Sequence, residues 1–393
     1  MVALLAQPLV APAVAEARRL RISVVTETYP PDVNGVAMTV GRLVEGLRAR
    51  GHAVQLIRPR QQRGDQPRRQ DRLDILPVSG FPIPFYRELR MGLPARRLLA
   101  EHWRRTAPDV VHIVTEGPLG GSALAAARHL GLRVFSGFHT NFHSYSRHYG
   151  VGLLARPIIA YLRRFHNRTD CTLVPTEELA TELRALGFVN LRVLARGVDI
   201  RLFHPERRDP ALRRSWGAGP TDPVALYVGR LAAEKNLQVV LAAYQALRAL
   251  QPTARLVLVG DGPLAARLRA HHPEIVFPGA RTGADLAAHY ASADLFLFPS
   301  LTETFGNVTL EAMASGLAVV AFDYAAAHQH IVHERSGLLA PRGDPAAFVA
   351  ATRRLAEDPA LRQRLGPAAR RAVIEFDWER IHGQLERWLL ETP

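Results

Sequence analysis

Cysteine, lysine and long apolar runs are all scarce in this 393-residue chain. The one cysteine, Cys171, excludes a disulfide within the chain and fits a reducing compartment such as the cytoplasm. No uninterrupted apolar run reaches the roughly 18 residues that a transmembrane helix needs, so we expect no such helix. The hydrophobic content of 48% is nevertheless ample for large cores, and the length predicts two domains.

Lysine is the scarcest charged residue. Of the 50 lysine and arginine residues, only Lys235, in the stretch GRLAAEKN, is a lysine. A coding bias towards arginine could leave one lysine by chance. A position that needs a compact ammonium rather than a planar guanidinium would also keep it, because an ammonium on a flexible stem suits a phosphate. The scarcity alone leaves both explanations open.

Residues 1–19 are rich in alanine and proline and resemble a weak signal peptide. They lack a basic start, and Gln7, Pro8 and Pro12 interrupt the apolar part. We therefore expect these residues to form a disordered extension, and we expect the protein to lie in the cytoplasm.

The net charge of +14 is concentrated in the N-terminal half. Residues 1–200 contain 28 arginines and 16 acidic residues, a balance of +12, whereas the rest of the chain contributes +2. An arginine-rich coding bias with a solvated surface would produce this asymmetry, and so would an anionic partner. The aromatic signatures of RNA-binding domains are absent, so nucleic acid is disfavoured and an anionic membrane surface is the better candidate.

Two helix-like stretches of the N-terminal half mix basic with apolar or aromatic residues, as interfacial helices do. They are ARRLLAEHWRR at 95–105 and ARPIIAYLRRFHNR at 155–168. The second is better explained as a core helix with a basic edge, so the first is the stronger candidate for contact with lipid. We expect peripheral attachment to the inner face of the plasma membrane.

Short β-branched runs alternate with helix-like stretches in two successive halves of the chain. The runs of the first half are RISVVTE, AVQLIRP, VVHIVTE, LRVFSGFHT, CTLVPT and LRVLARG, and those of the second are PVALYVGR, ARLVLVGDG, EIVFPGA, ADLFLFPS and LAVVAFD. A polar, proline-rich stretch at 198–222 separates them. This pattern predicts an α/β fold of two doubly wound domains, at 20–197 and 198–377, which face a cleft. Ligands of such sheets bind beyond the carboxyl ends of the strands.

The first strand-end loop of the second half carries two cations. Arg230 follows Gly229 at the end of the run ALYV, and Lys235 opens the next predicted helix. Both side chains can converge on one phosphate-sized anion above the sheet. A paired clamp of this kind is a sharper signal of phosphate binding than the scarce lysine alone.

A later loop, PSLTETFGNVTLEAMASG, carries two glutamates eight residues apart. Gly306 and Asn307 allow a tight turn, after which Asn307 can cap a helix that places Glu311 one turn in. The first N–H groups of that helix form an exposed start, which is a ready phosphate site. Glu303 and Glu311 would repel a phosphate that they touched. We therefore expect each to accept hydroxyls on one side of the phosphates, from a sugar on one side and from a ribose on the other. Ordinary surface glutamates near a helix start are the alternative.

The stretches GRLAAEKN, VGDGP and ETFGNVTLEAMASGLAVVA closely resemble the retaining glycosyltransferases of family GT4, which have the GT-B fold. The resemblance runs from about residue 20 to residue 390, and its C-terminal motifs are specific. Glu303 and Glu311 match the family's E-x7-E element, and Arg230 and Lys235 match its diphosphate-binding pair. The resemblance implies that the first glutamate binds the donor sugar and the second binds the ribose.

The N-terminal half resembles the family as well. TYPPDVNGVAMTV is similar to its first glycine-rich loop, in which Gly35 lies near the donor phosphate, although Asn34 replaces one of the usual two glycines. His139 matches a strand-end histidine that contacts the donor sugar. LARGVDIRLFHP matches the hinge motif, but Arg196 stands where asparagine is more usual, which puts residue 196 in doubt as a functional contact. FHTNFHSYSRHYG resembles bacterial lipid glycosyltransferases, especially α-mannosyltransferases that use GDP-mannose.

The resemblance implies a retaining transfer of a hexose, in the first instance mannose from GDP-mannose, to a hydroxyl of a lipid or glycolipid. UDP-sugar-dependent glucosyl- or sulfoquinovosyltransferases of membrane lipids are the alternative. It implies catalytic roles for Arg230, Lys235, His139 and Glu303. It implies donor contacts from a larger set: Gly35, Arg230, Lys235, Arg281, Glu303, Phe305, Gly306, Asn307, Val308 and Glu311. The N-terminal domain would bind the acceptor, and the last segment, 378–393, would form a helix that packs back on it.

We expect neither a cofactor nor a metal ion. The chain has no Asp-x-Asp motif to hold a metal, and the cations and the helix start can neutralise a diphosphate by themselves. The implied partners are a nucleotide-sugar donor (GDP-mannose or a UDP-hexose), a glycolipid acceptor and an anionic membrane surface.

Three motifs point weakly to other functions. GDGPLA at 260–265 matches the dinucleotide fingerprint, but Pro263 removes a donor, and the element follows the second strand of its domain rather than the first. HTNFH at 139–143 has histidines four apart, as in zinc sites, but lacks the glutamate of HExxH. The third is a cluster best explained as loop or strand-edge residues: His328, His330, His333 and Glu334.

A non-catalytic nucleotide-sugar-binding protein and an epimerase of the same fold are alternatives of another class. An inactive binder would be expected to have lost one of the four charged residues Arg230, Lys235, Glu303 and Glu311, and all four are present. An epimerase would lack the E-x7-E spacing with an Arg/Lys pair. An enzyme that transfers a sugar is therefore favoured.

Overall fold

The computed structural model describes residues 18–391 apart from 33, 63, 84–85 and 140–151, with the backbone alone at 83, 86–89 and 152–155. The predicted extension at 1–19 therefore lies almost wholly outside the described residues, and so does most of the stretch at 139–143. Within the described residues, two largely parallel sheets are covered by helices, which confirms the predicted α/β class.

The N-terminal sheet has eight strands in the order β10-β9-β8-β7-β1-β2-β4-β3, and only the β3–β4 pair is antiparallel. Strands β5 and β6 form a separate antiparallel hairpin. The bounds are β1 Arg21–Val25, β2 Ala53–Pro59, β3 Arg68–Gln70, β4 Leu73–Val78, β5 Gly80–Ile83, β6 Tyr86–Gly92, β7 Val110–Ile113, β8 Arg133–Gly137, β9 Cys171–Val174 and β10 Leu191–Val193.

Helices cover both faces of this sheet, because neighbouring residues of a strand point to opposite sides. On one face, Val24 of β1 lies in a core shared with Leu47 of a first helix. On the other face, Val25 lies in a core shared with Leu99 and Trp103 of a second helix. The helices of this half are α1 Gly35–Ala49, α2 Arg96–Thr106, α3 Pro118–His129, α4 Gly152–His166 and α5 Glu177–Ala185.

The C-terminal sheet has six parallel strands in the order β13-β12-β11-β14-β15-β16. Its central strands VALYV, LFLF and AVVAF are buried throughout, as expected for strands covered on both faces. The strands are β11 Val224–Val228, β12 Arg255–Val259, β13 Val276–Gly279, β14 Leu295–Phe298, β15 Ala318–Phe322 and β16 Leu338–Ala340. The helices are α6 Pro210–Ser215, α7 Leu237–Leu250, α8 Ala265–His271, α9 Gly283–Ser292, α10 Asn307–Ala314, α11 Ala325–His330, α12 Pro345–Glu357, α13 Pro359–Val373 and α14 Trp378–Leu390.

The last helix, α14, returns to the N-terminal half. Its residues Trp378, Ile381, Leu385 and Leu389 lie in the same apolar core as β1 and α1. Arg133 of β8 donates a hydrogen bond to the carbonyl of Leu389 at 2.8 Å. The domain boundaries at 197 and 377 stay predictions.

None of the described helices is long and apolar enough to cross a bilayer. The topology instead decides which loops can meet. Strands β11 and β14 are parallel neighbours, so the loops that follow them leave the same edge of the sheet side by side. The same holds for the loops after β1, β7 and β8 in the N-terminal sheet.

Candidate active site

Lys235 and Glu303 form an ion pair at the carboxyl edge of the C-terminal sheet. They lie 68 residues apart and meet because their loops follow the neighbouring strands β11 and β14. Lys235 Nζ lies 2.5 Å from Glu303 Oε1, and the two side chains are only 18% and 17% exposed. Ser300 Oγ donates to the same carboxylate oxygen at 2.7 Å. The chain's one lysine therefore makes a specific, partly buried contact rather than lying on a solvated surface.

The prediction that Lys235 opens a helix was wrong. Lys235 ends a 3-10 turn, Ala233–Lys235, and α7 begins two residues later at Leu237. Asn236 lies between them in the left-handed region, with a φ of 57°. Because this conformation interrupts a right-handed helix, the turn and α7 are separate elements.

Arg230 has a carboxylate partner of its own at longer range. Its Nη1 lies 3.7 Å from Glu234 Oε1, and the side chain remains 41% exposed. The Arg230 carbonyl accepts a hydrogen bond from the Tyr227 hydroxyl at 3.1 Å. Gly229 has a φ of 152°, and a Cβ there would come within 2.8 Å of that hydroxyl. Packing beneath the loop thus fixes its path, while convergence of Arg230 and Lys235 on one anion stays a prediction.

The glycines of GDGPLA serve this same loop. A Cβ on Gly260 would come within 1.9 Å of the Gly229 carbonyl oxygen, and one on Gly262 within 2.6 Å of the Leu231 carbonyl oxygen. The loops after β11 and β12 are also joined by a hydrogen bond from Leu231 N to Asp261 O at 2.8 Å. Close contact between two strand-end loops therefore accounts for the glycines without a dinucleotide.

The prediction that Asn307 caps α10 was also wrong. Gly306, with a φ of 91°, is the N-cap, and Asn307 is the first helical residue. The left-handed conformation favours glycine, which explains why the cap falls on Gly306. Gly306 has no side chain to cap the first N–H groups, which belong to Asn307 and Val308. Asn307 Oδ1 is buried with no hydrogen-bond partner in the described part of the chain.

Glu311 lies one turn into α10, as expected from its spacing. Its Oε2 accepts a hydrogen bond from the Tyr290 hydroxyl at 2.9 Å. Burial of the carboxyl raises the pKa of Glu311 to about 7, although this hydrogen bond and the charge of Arg42 both act to lower it. A carboxyl with a pKa near 7 accepts hydrogen bonds when it is ionised and can donate one when it is protonated.

Phe305 and Arg281 lie in contrasting surroundings. The side chain of Phe305 is 1% exposed and belongs to the C-terminal core. A contact of this residue with the nucleotide-sugar donor would therefore have to come from its backbone. Arg281 precedes α9 and pairs with Asp285 at 3.1 Å while donating to the Pro278 carbonyl at 2.8 Å. These contacts fix the loop at 278–282, and they assign no ligand to Arg281.

The N-terminal side of the site begins with the start of α1. Asn34 is its N-cap, and its Oδ1 accepts from Val36 N at 3.1 Å and from Ala37 N at 2.9 Å. The side chain of Asn34 thus satisfies two of the helix's first N–H groups. Gly35 is the first helical residue, and its carbonyl accepts a hydrogen bond from the Thr39 hydroxyl at 2.7 Å.

Arg196 joins this helix start to His139. Its Nη1 donates to Thr39 Oγ1 at 2.9 Å and to the Gly35 carbonyl at 3.3 Å, and its Nη2 donates to His139 Nδ1 at 3.1 Å. The guanidinium also lies 5.8 Å from the centre of the Phe305 ring, which belongs to the C-terminal half. The structure thus places in the site a residue to which the sequence assigned no contact.

The expectation of loop or strand-edge positions was wrong for His328 and His330, which lie in α11. His328 pairs with Asp323 at 2.7 Å, which raises its pKa. His330 is buried against Phe376, neither of its ring nitrogens has a hydrogen-bond partner among the described residues, and burial lowers its pKa to about 4. Within the described residues, no group of three histidine, cysteine or acidic side chains is arranged to hold a metal ion.

Sequence reasoning missed the residues that position the charged groups. They are Arg196, Tyr290, Ser300 and Tyr324, the last of which donates its hydroxyl proton to the Glu303 carbonyl. Their contacts span 3 to 161 residues in sequence, and no spacing rule marks them. Only Arg196 carried a signal, as a departure from the family's usual asparagine.

Comparison with known protein families accounts for both halves of the chain. The family described as "Glycosyltransferase Family 4" matches residues 33–202. The family described as "Glycosyl transferases group 1" matches residues 222–358. The two matches leave the intervening residues 203–221 between them, within the predicted linker.

Individual proteins are similar over most of the chain. A GDP-mannose-dependent alpha-mannosyltransferase of Mycolicibacterium smegmatis is 37% identical over 93% of this chain and 96% of its own length. An alpha-monoglucosyldiacylglycerol synthase of Streptococcus pneumoniae is 29% identical over 77% of this chain and 71% of its own length. Among solved structures, a sucrose-phosphate synthase of Thermosynechococcus elongatus superposes with a TM-score of 0.77 at 21% identity, covering 94% of this chain and 99% of that one. This likeness confirms the GT-B fold. Together with 37% identity over nearly the whole length, it shows that the chain belongs to glycosyltransferase family 4 and is a hexosyltransferase.

Proposed function

We propose that the chain transfers mannose from GDP-mannose, with retention of configuration, to a hydroxyl of a lipid-linked acceptor. The observation that carries the proposal is the Lys235–Glu303 ion pair at the start of the E-x7-E element, in a chain similar to a GDP-mannose-dependent alpha-mannosyltransferase. The similarity to a monoglucosyldiacylglycerol synthase supports a lipid acceptor. It also supports a second candidate, transfer of glucose from a UDP-sugar.

The chemistry requires that negative charge on the departing diphosphate be stabilised. In the proposal Lys235 and Arg230 supply positive charge, and the uncapped start of α10 supplies N–H groups. Glu303 holds the ammonium before the donor arrives, so the cation needs little reorganisation when charge develops. Its carboxylate then accepts a sugar hydroxyl, and Glu311 accepts the ribose hydroxyls. The acceptor hydroxyl loses its proton to the departing phosphate on the same face of the sugar.

The acceptor would lie at the carboxyl edge of the N-terminal sheet. Glu27 follows β1 there, and Glu116 follows the neighbouring strand β7. Burial raises the pKa of Glu27 to about 7, and its Oε1 accepts from Gly92 N at 3.3 Å. Glu116 Oε1 lies 3.1 Å from His166 Nε2. Carboxyl groups held in this way suit an acceptor that presents hydroxyls.

The experiment is a transfer assay with a panel of labelled nucleotide sugars and a total lipid extract. We expect label from GDP-mannose to enter a lipid product, with less or none from UDP-glucose. Transfer from UDP-glucose alone would favour the second candidate. Binding of a nucleotide sugar with no turnover for any donor would contradict the proposal and favour a non-catalytic binder.

We expect transfer to survive an excess of EDTA, because Arg230, Lys235 and the helix start can neutralise the diphosphate without a cation. The measurement is the initial rate before and after chelation. Loss of activity that is restored by Mg²⁺ or Mn²⁺ would contradict the metal-independent mechanism, whereas a loss that neither ion restores would indicate an effect of the chelator on the assay.

The proposed membrane surface is the outer face of α2 with the residues beside it. The buried side of α2 consists of Leu99, Ala100 and Trp103. Large apolar side chains nearby are exposed, namely Phe81 at 41%, Leu93 at 44% and Leu98 at 46%. Exposed arginines flank them: Arg96, Arg97, Arg104 and Arg105. Exposed apolar side chains with exposed arginines on the same helix suit an anionic bilayer, where each basic side chain contributes about 1 kcal/mol.

Binding to vesicles should therefore depend on lipid charge and on salt. We expect sedimentation with vesicles to rise with the content of anionic lipid and to fall at high salt. The double variant Arg96→Gln/Arg97→Gln should weaken it, whereas Arg364→Gln/Arg371→Gln, on the exposed side of α13, should not. Binding that ignores both lipid charge and salt would refute this docking and make a soluble acceptor the better proposal.

A further inference from the structure

Arg196 is a buried cation whose hydrogen bonds within the described residues all go to neutral groups. It is 5% exposed, and its partners are the Thr39 hydroxyl, the Gly35 carbonyl and the His139 ring. Burial lowers the pKa of Arg196 to about 10, with the charge of Glu303 acting the other way, so the side chain stays charged at neutral pH. Keeping such a charge without a bonded carboxylate costs stability, which points to a role beyond packing.

The bond to His139 has only one possible direction. A guanidinium donates and cannot accept, so His139 Nδ1 must be the acceptor. The imidazole is therefore neutral, and its one ring proton lies on Nε2. Nε2 of His139 is then a hydrogen-bond donor, and the lone pair of Nδ1 is occupied by the bond from Arg196.

We propose that Arg196 is a positioning residue that holds His139 neutral, as the Nε2–H tautomer and in one orientation, for contact with the donor sugar. The inference rests on the proposed function, because it takes the sugar to bind beside His139. Arg196 acts through the histidine and does not itself touch the donor.

The anchoring of Arg196 supports this role. Its Nη1 is fixed on α1 by the buried Thr39 hydroxyl, and its Nη2 reaches the loop after β8. One planar group thus ties two elements together at a set distance, which a shorter asparagine could not do. The helix start at Gly35 and the histidine are therefore held as one unit.

The charges that face His139 support it as well. Burial is the main cause that lowers the pKa of His139, followed by the charge of Arg196 and then by His112 and His166. Burial also lowers the pKa of His112, to about 4, so that histidine is neutral. His166 lies next to Glu116, and Glu303 faces Arg196 from the C-terminal half. Arg196 is thus the positive charge beside the ring that persists at neutral pH.

The test compares three variants. Arg196→Met removes both the bond and the charge. Arg196→Gln keeps a donor without the charge, and Arg371→Gln, on the exposed surface of α13, is the matched control. We expect Arg196→Met to lower kcat by about 10- to 100-fold, the scale of a small misplacement, and to leave the Kd for GDP within about twofold of wild type. Arg196→Gln should recover part of the loss, and Arg371→Gln should behave as wild type.

The second readout is the ring of His139 itself, followed by NMR with ¹⁵N-labelled histidine and assigned by its absence in His139→Gln. In wild type we expect the neutral Nε2–H form to persist through the range in which histidines usually titrate. In Arg196→Met the midpoint should move up towards the ordinary value. This readout does not need turnover, so it separates failure of the inference from failure of the proposed function.

Two results would overturn the inference. A large loss of GDP affinity in Arg196→Met would assign the guanidinium directly to the diphosphate. An unchanged His139 titration with unchanged kcat would make Arg196 structural only. If the NMR result holds but no nucleotide sugar supports transfer, the proposed function is wrong and the Arg196–His139 pair stands.

Discussion

Replacing Lys235 with alanine should reduce turnover by about 100- to 1,000-fold, the usual cost of removing one stabiliser of charge that develops in the transition state. The reason is its position 2.5 Å from Glu303, from which the ammonium would stabilise the departing diphosphate in the proposed mechanism. The measurement is kcat for mannosyl transfer at saturating donor.

Lys235→Arg should also be impaired, because a planar fork does not reproduce a point charge in a site only 18% exposed. Arg371→Gln, at an exposed position of α13, serves as the control for effects of substitution that do not involve the site. Near-normal activity of Lys235→Arg would mean that the lysine is a chance survivor of an arginine-rich sequence.

The scarcity of lysine offers an independent check. Reductive methylation reaches only Lys235 and the chain's N-terminal amine, since no other lysine exists. We expect GDP or GDP-mannose to slow modification of Lys235 and to leave that of the N-terminal amine unchanged. Equal rates with and without nucleotide would place the lysine outside the diphosphate site.

The two glutamates should fail in different ways. Glu303→Ala should lower kcat on the order of 100-fold while GDP still binds, because it removes the partner of Lys235 and a sugar contact. Glu311→Ala should weaken GDP binding by about 10- to 100-fold, the value of a hydrogen bond to a charged group. Calorimetric Kd values and kcat separate the two. An equal loss of GDP affinity in both variants would contradict this division.

Titration of the Glu311 carboxyl should make both the stability of the protein and its affinity for GDP depend on pH. Its folded-state pKa is raised to about 7, so the protonated carboxyl predominates below that pH and the carboxylate above it. The stability that this group contributes is complete below its ordinary pKa and is lost as the pH rises through about 7. Ribose hydroxyls donate best to the ionised form, so GDP affinity should increase over that range. In Glu311→Gln the affinity step should disappear, and the stability step should shrink to the part that Glu27 contributes, since burial raises the pKa of Glu27 to about 7 as well.

The sequence predicted those residues of the site that can be recognised from their neighbours along the chain. Glu303 and Glu311 are recognisable because they flank Gly306, and Arg230 and Lys235 because they follow a strand. Tertiary contacts decided the rest. Ser300 and Tyr290 bond to the glutamates only because β14 and α9 bring them there, and the cap fell on Gly306 because its backbone is left-handed.

The fold shows the same division between local and tertiary effects. The long apolar runs predicted the central strands of both sheets, since burial on both faces leaves little choice of residue. Strands β3 to β6 were not predicted, because segments such as RRQ and YRELRMG lack the β-branched runs of the core strands. Arg196 belongs with them, because its contact with His139 joins two loops 57 residues apart.

The most direct measurement is the configuration of the sugar in the lipid product made from GDP-α-mannose. In the proposed mechanism the site stabilises charge on one face of the sugar, and the acceptor oxygen bonds to the face that the phosphate leaves. We therefore predict an α-linked mannosyl lipid, identified by the one-bond coupling between C1 and H1 in NMR. A β-linked product, or release of free mannose with no lipid product, would contradict a retaining transfer at this site.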